Sequence, residues 1–433
     1  MSFLGLKSSS QRHTGLSRAT PIAVAALGAV AAAQLSLSSV TSGDYAVGHA
    51  VAGDNAGPAI DALIHGHIST VISQQPLMGL TSLLLRAPFA GAVALFGGGN
   101  PLAYRVGAMV CLLPFVALAT WLAGRPGINS RQRLAGTIAA VIVLVGPATA
   151  EAVQVGHPEE VLAATLATGA VLAAMRGRTG WTWLSLGLAV GAKQWALLAA
   201  PCVLLALPER RVATAVKAAA LALVLSAALP LADPAAFARA DSAVGGFGFT
   251  NPFSLWWPVG RPLGVAAHAA FIPTGHLLPF GITRSVAAAC GLVLALGGLW
   301  LYWARSGGRT RQINPLALLA FCGLVRCLAD PDPLHYYFVA LLIPLAAWET
   351  VELGRLPVVT ALAMGAAALL ARGAVGLDAG AGVHLTAAVV NALSIAWGLV
   401  LAFYLARSVV HPRAERKLGE FSSVPMTGLR QGA

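Results

Sequence analysis

The sequence predicts an all-α protein that crosses a membrane many times, and three observations support this. Of the 433 residues, 57% are hydrophobic and only 10% are charged. Soluble globular domains carry about 25% charged residues, so this chain has too few charges to cover a water-facing surface of its size. Its apolar residues also form long runs separated by arginine clusters, as in helical membrane proteins.

A bilayer span takes about 20 apolar residues. Eight runs approach this length: 20–40, 101–123, 134–152, 158–175, 212–232, 285–304, 356–372 and 384–406. Basic residues mark cytoplasmic loops in membrane proteins. Placing the clusters that begin at Arg125, Arg176, Arg210, Arg305 and Arg407 in the cytoplasm gives one consistent path. Both termini are then cytoplasmic.

Two further segments, 181–208 and 314–350, have basic flanks on both sides but are too short for two full spans. Each predicts two short helices that meet inside the membrane. The turns fall at Lys193-Gln194 and at Asp330–His335. With these hairpins the count is about twelve spans. Broken helices at membrane depth are tolerated where they line a buried or water-filled cavity, so the two turns predict one cavity that opens to the outside.

The rest of the chain divides into two outer loops and a tail. Residues 41–100 form the first loop, in which the apolar run 76–97 predicts an amphipathic helix at the membrane surface. Residues 233–284 form the second loop. We therefore expect a single domain over 1–407 and a polar, disordered cytoplasmic tail over 408–433.

The composition also excludes several classes of function. The net charge is +12, but no basic stripe alternates with aromatic residues, so we expect no nucleic-acid binding. All five cysteines lie in apolar runs without a metal-binding spacing. His65 and His67 form a single His-x-His pattern, which is too weak to predict a metal site. No strand and no nucleotide-binding loop is expected either.

Lys193 and Arg326 are the two cations nearest the apices of the predicted hairpins. An ionisable side chain at membrane depth is costly and marks a candidate functional site. Arginine grips a phosphate through two parallel hydrogen bonds, and lysine supplies a point charge. Both residues therefore predict recognition of an anionic headgroup. The alternatives are a structural ion pair with Asp330 or Asp332, or side chains that reach up to the lipid surface.

The second turn carries Asp330, Asp332, His335, Tyr336 and Tyr337. Helix capping explains one acid at the start of a helix. It does not explain the histidine and two tyrosines as well, so a binding site and a capping role both remain open.

The segment Gly156-His157-Pro158-Glu159-Glu160 opens another helix on the same face. Proline and glutamate are common in a first helical turn, which is the structural alternative. In the functional alternative, this segment is a binding site in which His157, Glu159 and Glu160 hold sugar hydroxyls or a cation. Trp256, beside Trp257 and Pro258, would stack on a sugar ring or form part of an interfacial aromatic belt.

Asp54 is the candidate general base. It lies in Gly53-Asp54-Asn55, in the first outer loop, just before a predicted helix. A general base needs a carboxylate within hydrogen-bonding reach of a hydroxyl. Capping that helix is the alternative role, and Asp44 or Asp61 in the same loop is an alternative base.

This layout resembles the GT-C membrane glycosyltransferases. The resemblance rests on Asp54, Gln75-Pro76-Leu77, Pro88-Phe89 and Ala103-Tyr104-Arg105 in order along the first outer loop and the span after it. Residues 156–160, Lys193-Gln194-Trp195 and 330–337 are similar to the glycosyltransferase 87 family, the polyprenyl-phosphate-mannose-dependent mannosyltransferases. The second acid that follows the base in many relatives is replaced here by Asn55.

The resemblance implies a GT-C-like fold and an inverting glycosyltransferase of EC class 2.4. Asp54 would take a proton from an acceptor hydroxyl, which attacks a sugar carried by polyprenyl phosphate. Lys193, Arg326 and His335 would bind the donor phosphate. The candidate sugar or acceptor ligands are His157, Glu159, Glu160, Gln194, Asp330, Tyr336 and Trp256.

The expected sugar is mannose or another hexose or pentose, and the expected acceptor is an envelope glycan or glycolipid. We expect no cofactor and no metal in the site, while dependence on a divalent cation stays open. The expected location is a bacterial cell membrane, with the active site outside the cytoplasm. Two other functions remain: a transporter or flippase for a lipid-linked or anionic solute, and a non-catalytic scaffold for envelope assembly.

Overall fold

The structure is a computed structural model, which describes residues 13–38, 56–76, 79–98, 100–125, 127–245, 249–262, 276–278, 283–305, 313–379 and 387–410. Most of these residues are helical. The predicted tail lies outside the described residues from 411 onward.

Six described helical segments are long and apolar enough to cross a membrane: Thr20–Leu37, Leu102–Gly124, Ser130–Gln154, Arg211–Ala232, Ser285–Arg305 and Ala387–Val410. They belong to α1 (His13–Ser38), α5 (Asn100–Gly124), α6 (Ser130–Leu144) with α7 (Pro147–Gln154), α11 (Arg211–Ala232), α13 (Arg284–Arg305) and α17 (Ala387–Val410). All six coincide with runs that the sequence predicts. The all-α membrane class is thus confirmed, and the count of about twelve spans stays a prediction.

The first predicted hairpin is present. It consists of α9 (Thr179–Ala192), a 3-10 helix (Gln194–Leu198) and α10 (Ala199–Ala206). Lys193 interrupts the helix with an extended backbone, φ −149° and ψ 128°. The two ends of the hairpin meet, because a Cβ on Gly177 would lie 3.9 Å from Pro208. The predicted turn at Lys193-Gln194 is therefore at the apex.

The second hairpin is also present. Its first arm is α14 (Pro315–Ala329), and its second is a 3-10 helix (His335–Phe338), α15 (Val339–Ala347) and a π-helical turn (Trp348–Glu352). A side chain at Gly323 would collide with the Ala340 carbonyl. Glycine therefore lets α14 and α15 pack closely.

The core is formed by α8 (Pro158–Ala174), α14 and α15. Nearly every side chain of these helices is buried, so they are apolar on all faces, as expected for central helices. By contrast, α11 and α13 expose many apolar side chains; Leu231 is 77% exposed and Leu294 is 74% exposed. Exposed apolar faces of this extent fit contact with lipid.

The first outer loop contains α2 (Ala56–Ile64), α3 (Ile68–Gln74) and α4 (Leu80–Leu95). The predicted helix at 76–97 is thus confirmed as α4. It runs antiparallel to α5, with Ser82 beside Cys111 and Arg86 beside Gly107. Its position at the membrane surface stays a prediction.

The second outer loop contains α12 (Pro234–Gly245), a 3-10 helix (Trp257–Val259) and three two-residue strands. The strands β1 (Phe249–Thr250), β2 (Arg261–Pro262) and β3 (His276–Leu277) form an antiparallel sheet in the order β1-β3-β2. This small sheet corrects the expectation of no strands. Two residues per strand are too few to produce the alternating pattern by which a strand is recognised in a sequence.

The charged residues divide between the two ends of the helical bundle. The start of α8, the break at Lys193 and the turn after α14 lie at one end, which we call the site end. At the other end Arg125 donates to the Thr350 carbonyl at 2.7 Å. There Arg176 stacks on Trp121 at 4.0 Å, and burial, together with the nearby Arg125 and Arg178, lowers the pKa of Arg176 to about 10.

The separation has the pattern that the positive-inside rule predicts. Which end faces the cytoplasm stays a prediction. The helix α16 (Val358–Ala379) begins at the end of the bundle that carries Arg125 and Arg176, which we call the arginine-rich end. There Glu349 accepts hydrogen bonds from the Thr360 backbone and hydroxyl.

Candidate functional site

Four charged side chains meet at the site end, and we call them the ion cluster: Glu159, Glu160, Lys193 and Arg326. Lys193 Nζ lies 3.2 Å from Glu159 Oε1 and 3.7 Å from Glu160 Oε1. Arg326 Nη2 lies 3.2 and 3.3 Å from the two Glu160 oxygens. The glutamates are almost fully buried, whereas the Lys193 and Arg326 side chains are 14% and 12% exposed.

The local sequence explains why these charges meet. Pro158 begins α8, so Glu159 and Glu160 occupy the first turn, where the helix dipole favours negative charge. Lys193 interrupts its hairpin at the apex, and Arg326 lies in the last turn of α14, where positive charge is favoured. Three separate helix ends therefore bring complementary charges to one place.

Aromatic rings surround the arginine of the ion cluster. The Arg326 guanidinium carbon lies 4.8 Å from the Trp195 ring centroid and 4.2 Å from that of Tyr337. Trp195 Nε1 also donates to Glu160 Oε2 at 2.7 Å. These contacts hold the guanidinium and its partner carboxylate in a fixed orientation.

His157 extends the cluster toward the second hairpin. Its Nδ1 lies 2.9 Å from Glu159 Oε1. Its ring stacks on Tyr336, with centroids 5.1 Å apart. Tyr104 donates to the Gly156 carbonyl at 3.2 Å, which ties α5 to the start of α8. Residues from α5 (the second candidate span), the 156–160 segment and the second hairpin are thus in contact.

The second outer loop is attached to the turn between α14 and α15. Asn251 donates to Asp332 Oδ1 at 2.8 Å, and Ser254 donates to the Asp330 carbonyl at 2.9 Å. Trp256 Nε1 donates to the Ala329 carbonyl at 2.8 Å. The turn and the Trp256 indole are therefore held together beside the ion cluster. A stacking role for that indole stays a prediction.

His335 lies at the same turn, with a partner that the sequence analysis did not identify. Its Nδ1 is 3.4 Å from Glu151 Oε1 on α7. Phe253, from the second outer loop, packs edge-on against the imidazole at 4.7 Å between centroids.

Some candidate residues do not belong to the ion cluster, and others lie outside the residues that the structure describes. The Gln194 side chain is exposed beside the apex. Asp44 and Asp54 lie outside the described residues. Asp61 is 44% exposed and lies 3.6 Å from His65 Nδ1. Within the described ranges, no group of three histidine, cysteine or acidic residues has the geometry of a metal site.

Arg86 is a second residue that the sequence analysis did not place in the site. It is fully buried on α4, and its guanidinium carbon lies 4.5 Å from the Tyr104 ring centroid. Glu159 is among the charges that act on it. The available signal is an arginine within an apolar run, but the run by itself predicts a helix at the membrane surface.

The ion pairs correct one detail of the sequence analysis. Asp330 and Asp332 were the expected partners if Lys193 and Arg326 served a structural role. The observed partners are Glu159 and Glu160 on α8. Arg326 lies close to Asp330 in the sequence, whereas Glu160 belongs to a different helix, so proximity in sequence favoured the wrong acid for this arginine.

No protein-family model matches this chain, and no curated protein matches it either.

Proposed function

We propose that the protein is an integral membrane glycosyltransferase that uses a polyprenyl-phosphate sugar donor. The supporting observation is that three segments chosen for their resemblance to such enzymes meet at one end of the bundle. Residues 156–160 supply Glu159 and Glu160, the first hairpin supplies Lys193, and the second supplies Arg326. A lipid-carried donor also accounts for placing charged groups at membrane depth.

In this proposal the two cations bind the donor phosphate. Lysine has three N–H donors and arginine has five, so each can keep a glutamate partner and still donate to a phosphate oxygen. Charge that builds on the departing phosphate is offset by Lys193, Arg326 and His335. Trp195 and Glu160 hold Arg326 in place, so little reorientation is needed during the reaction.

Asp54 is the proposed general base. The described chain resumes two residues later, at Ala56, which packs in one cluster with Ala103 and Tyr104. Tyr104 in turn bonds to Gly156, beside the ion cluster. The acceptor hydroxyl would lose its proton to Asp54 and form the new bond to the anomeric carbon. The bond from that carbon to the phosphate oxygen would break, with its electron pair left on polyprenyl phosphate.

The remaining candidates keep their roles within this proposal. His157, Glu159, Glu160, Gln194, Asp330, Tyr336 and Trp256 are proposed to contact the sugar or the acceptor, directly or through the cluster. The acceptor is an envelope glycan or glycolipid, and the sugar is mannose or another hexose or pentose. No cofactor takes part, and transfer with and without a chelator would determine whether a divalent cation is needed.

The test is transfer of labelled sugar from polyprenyl phosphate to extracted envelope lipids by the purified protein. We expect a labelled product from the wild type and none from Asp54→Asn at equal expression. Asp233→Asn is the matched control, since Asp233 caps α12 through the Ala236 backbone at 2.9 Å and asparagine can still do so. Full activity in Asp54→Asn, with loss in Asp44→Asn or Asp61→Asn, would assign the base to that residue instead.

A transporter or flippase is the second candidate. Helices interrupted at membrane depth beside buried charges, as at Lys193, are typical of transporters as well. This function predicts movement of a lipid-linked solute across proteoliposomes without a new glycosidic bond. Product formation in detergent, where no second compartment exists, would contradict transport as the main activity.

A further inference from the structure

Glu151 and His335 form a pair outside the ion cluster. Glu151 lies on α7, and His335 begins the 3-10 helix that follows the turn of the second hairpin. His335 Nδ1 and Glu151 Oε1 are 3.4 Å apart, and the side chains are 20% and 32% exposed. The pair therefore joins the third candidate span to the turn that carries three of the proposed site residues.

A break in the third span brings Glu151 to this position. α6 ends at Leu144, and α7 begins at Pro147 after Gly146, whose backbone is extended with ψ 153°. A side chain at Gly146 would collide with the Ile142 carbonyl and with Met364. Thr149 stabilises the break by donating to the Val143 carbonyl at 2.6 Å. Local residues therefore cause the bend. After it, α7 packs against the 3-10 helix that begins at His335.

The chemistry of the pair determines which imidazole nitrogen remains available. An ionised carboxylate only accepts hydrogen bonds, so the contact requires the hydrogen to be on Nδ1. The other nitrogen, Nε2, is buried and has no hydrogen-bond partner within the described residues. Buried polar atoms normally have a partner, so an unpaired Nε2 beside a proposed binding site is suited to a ligand.

Neighbouring contacts place His335 at the proposed site. The next residue, Tyr336, stacks on His157, which contacts Glu159 of the ion cluster. Phe253 makes a T-shaped contact with the His335 imidazole, with ring centroids 4.7 Å apart. The imidazole is therefore held between Phe253 of the second outer loop and Glu151 of α7. In the sequence it is next to Tyr336, which contacts His157.

We propose that Glu151 is a positioning residue that acts through His335. By accepting the hydrogen of Nδ1 it orients the imidazole so that Nε2 is the nitrogen that meets the donor phosphate. When Nε2 also carries a hydrogen, it donates to the phosphate oxygen whose bond to the sugar breaks, and Glu151 balances the positive ring. This inference rests on the proposed sugar transfer and assigns Glu151 a role within it.

The kinetic test compares Glu151→Ala, His335→Gln and the double variant. Loss of a carboxylate that orients a metal-ligating histidine typically costs about 10- to 100-fold in metal affinity or activity, and we expect a similar order for a carboxylate that orients a phosphate-binding histidine. We expect kcat to fall by about that factor in Glu151→Ala, with less loss in Glu151→Gln, whose amide oxygen still accepts from Nδ1. The double variant should be no slower than His335→Gln alone, because Glu151 acts only through the imidazole.

The control is Glu209→Ala, which removes an exposed carboxylate at the arginine-rich end and should leave kcat unchanged. Multiplicative losses in the double variant, or an unchanged kcat in Glu151→Ala, would overturn the proposal. Both outcomes would mean that Glu151 does not work through His335.

A second measurement does not depend on activity. Nitrogen-15 chemical shifts of histidine-labelled protein, assigned with His335→Gln, report which ring nitrogens carry hydrogen. We expect a hydrogen on Nδ1 in the wild type and a changed spectrum in Glu151→Ala. A bare Nδ1, or a spectrum that Glu151→Ala leaves unaltered, would refute the pairing. If the wild type transfers no sugar while the spectrum changes as expected, the proposed function fails and the pairing stands.

Discussion

At the scale of single residues, the ion cluster is expected to affect stability as well as the proposed chemistry. Each cation has a buried acidic partner, so removing one side chain leaves its buried partner with fewer compensating charges and hydrogen bonds. Breaking such a buried pair typically costs about 3–5 kcal/mol, whereas removing both partners together costs less. The same residues are proposed to bind the donor, so stability and donor affinity must be measured separately.

Lys193→Ala should raise the donor KM more than it lowers kcat, because a point charge on the phosphate is lost in the ground state and in the transition state. The control is Lys217→Ala, since Lys217 is exposed on α11 away from the cluster. Kinetics at varied donor concentration would check this. A KM equal to that of the Lys217→Ala variant would remove Lys193 from donor binding.

The Glu160–Arg326 pair predicts non-additive losses of stability. Glu160→Gln and Arg326→Gln should each lower the melting temperature in detergent, and the double variant should be less destabilised than the sum. Coupling between residues in contact is about 0.5–3 kcal/mol. Strictly additive shifts would show that the 3.2 Å contact contributes little to folding.

At the scale of elements, the two hairpins depend on close helix packing. Gly323 has the Ala340 backbone against it, whereas nothing lies within 4 Å of a Cβ placed on Gly297 of α13. Gly323→Ala should therefore destabilise the protein by about 1–3 kcal/mol through overpacking. Gly297→Ala should be neutral or slightly stabilising, because alanine favours helix more than glycine does. Thermal unfolding in detergent compares the two, and equal melting temperatures would argue against close packing of α14 on α15.

At the scale of the whole molecule, the separation of charges predicts orientation in the membrane. Gln194 and Glu209 are both exposed and lie at opposite ends of the first hairpin. In a cysteine-free background, a membrane-impermeant maleimide should label Gln194→Cys in intact cells. It should label Glu209→Cys only after permeabilisation. The reverse pattern would place the site end in the cytoplasm and contradict the proposed topology.

Several features could be predicted because they depend on local sequence. The six apolar segments, the break at Lys193 and the turn from Asp330 to His335 follow from hydropathy, proline positions and flanking charge. The partners of the charged residues could not be predicted in this way. Several loops contain acidic residues that could pair with Lys193, and the sequence alone does not give the distances between helices.

The sequence by itself determined the membrane class, the position of the helices and the two short hairpins, since each follows from the cost of placing polar groups in lipid. Only the tertiary structure decided that Glu159 and Glu160 are the partners of Lys193 and Arg326, and that Glu151 faces His335. These contacts join segments far apart in the chain, and they arise from how helix ends pack together rather than from any local pattern of residues.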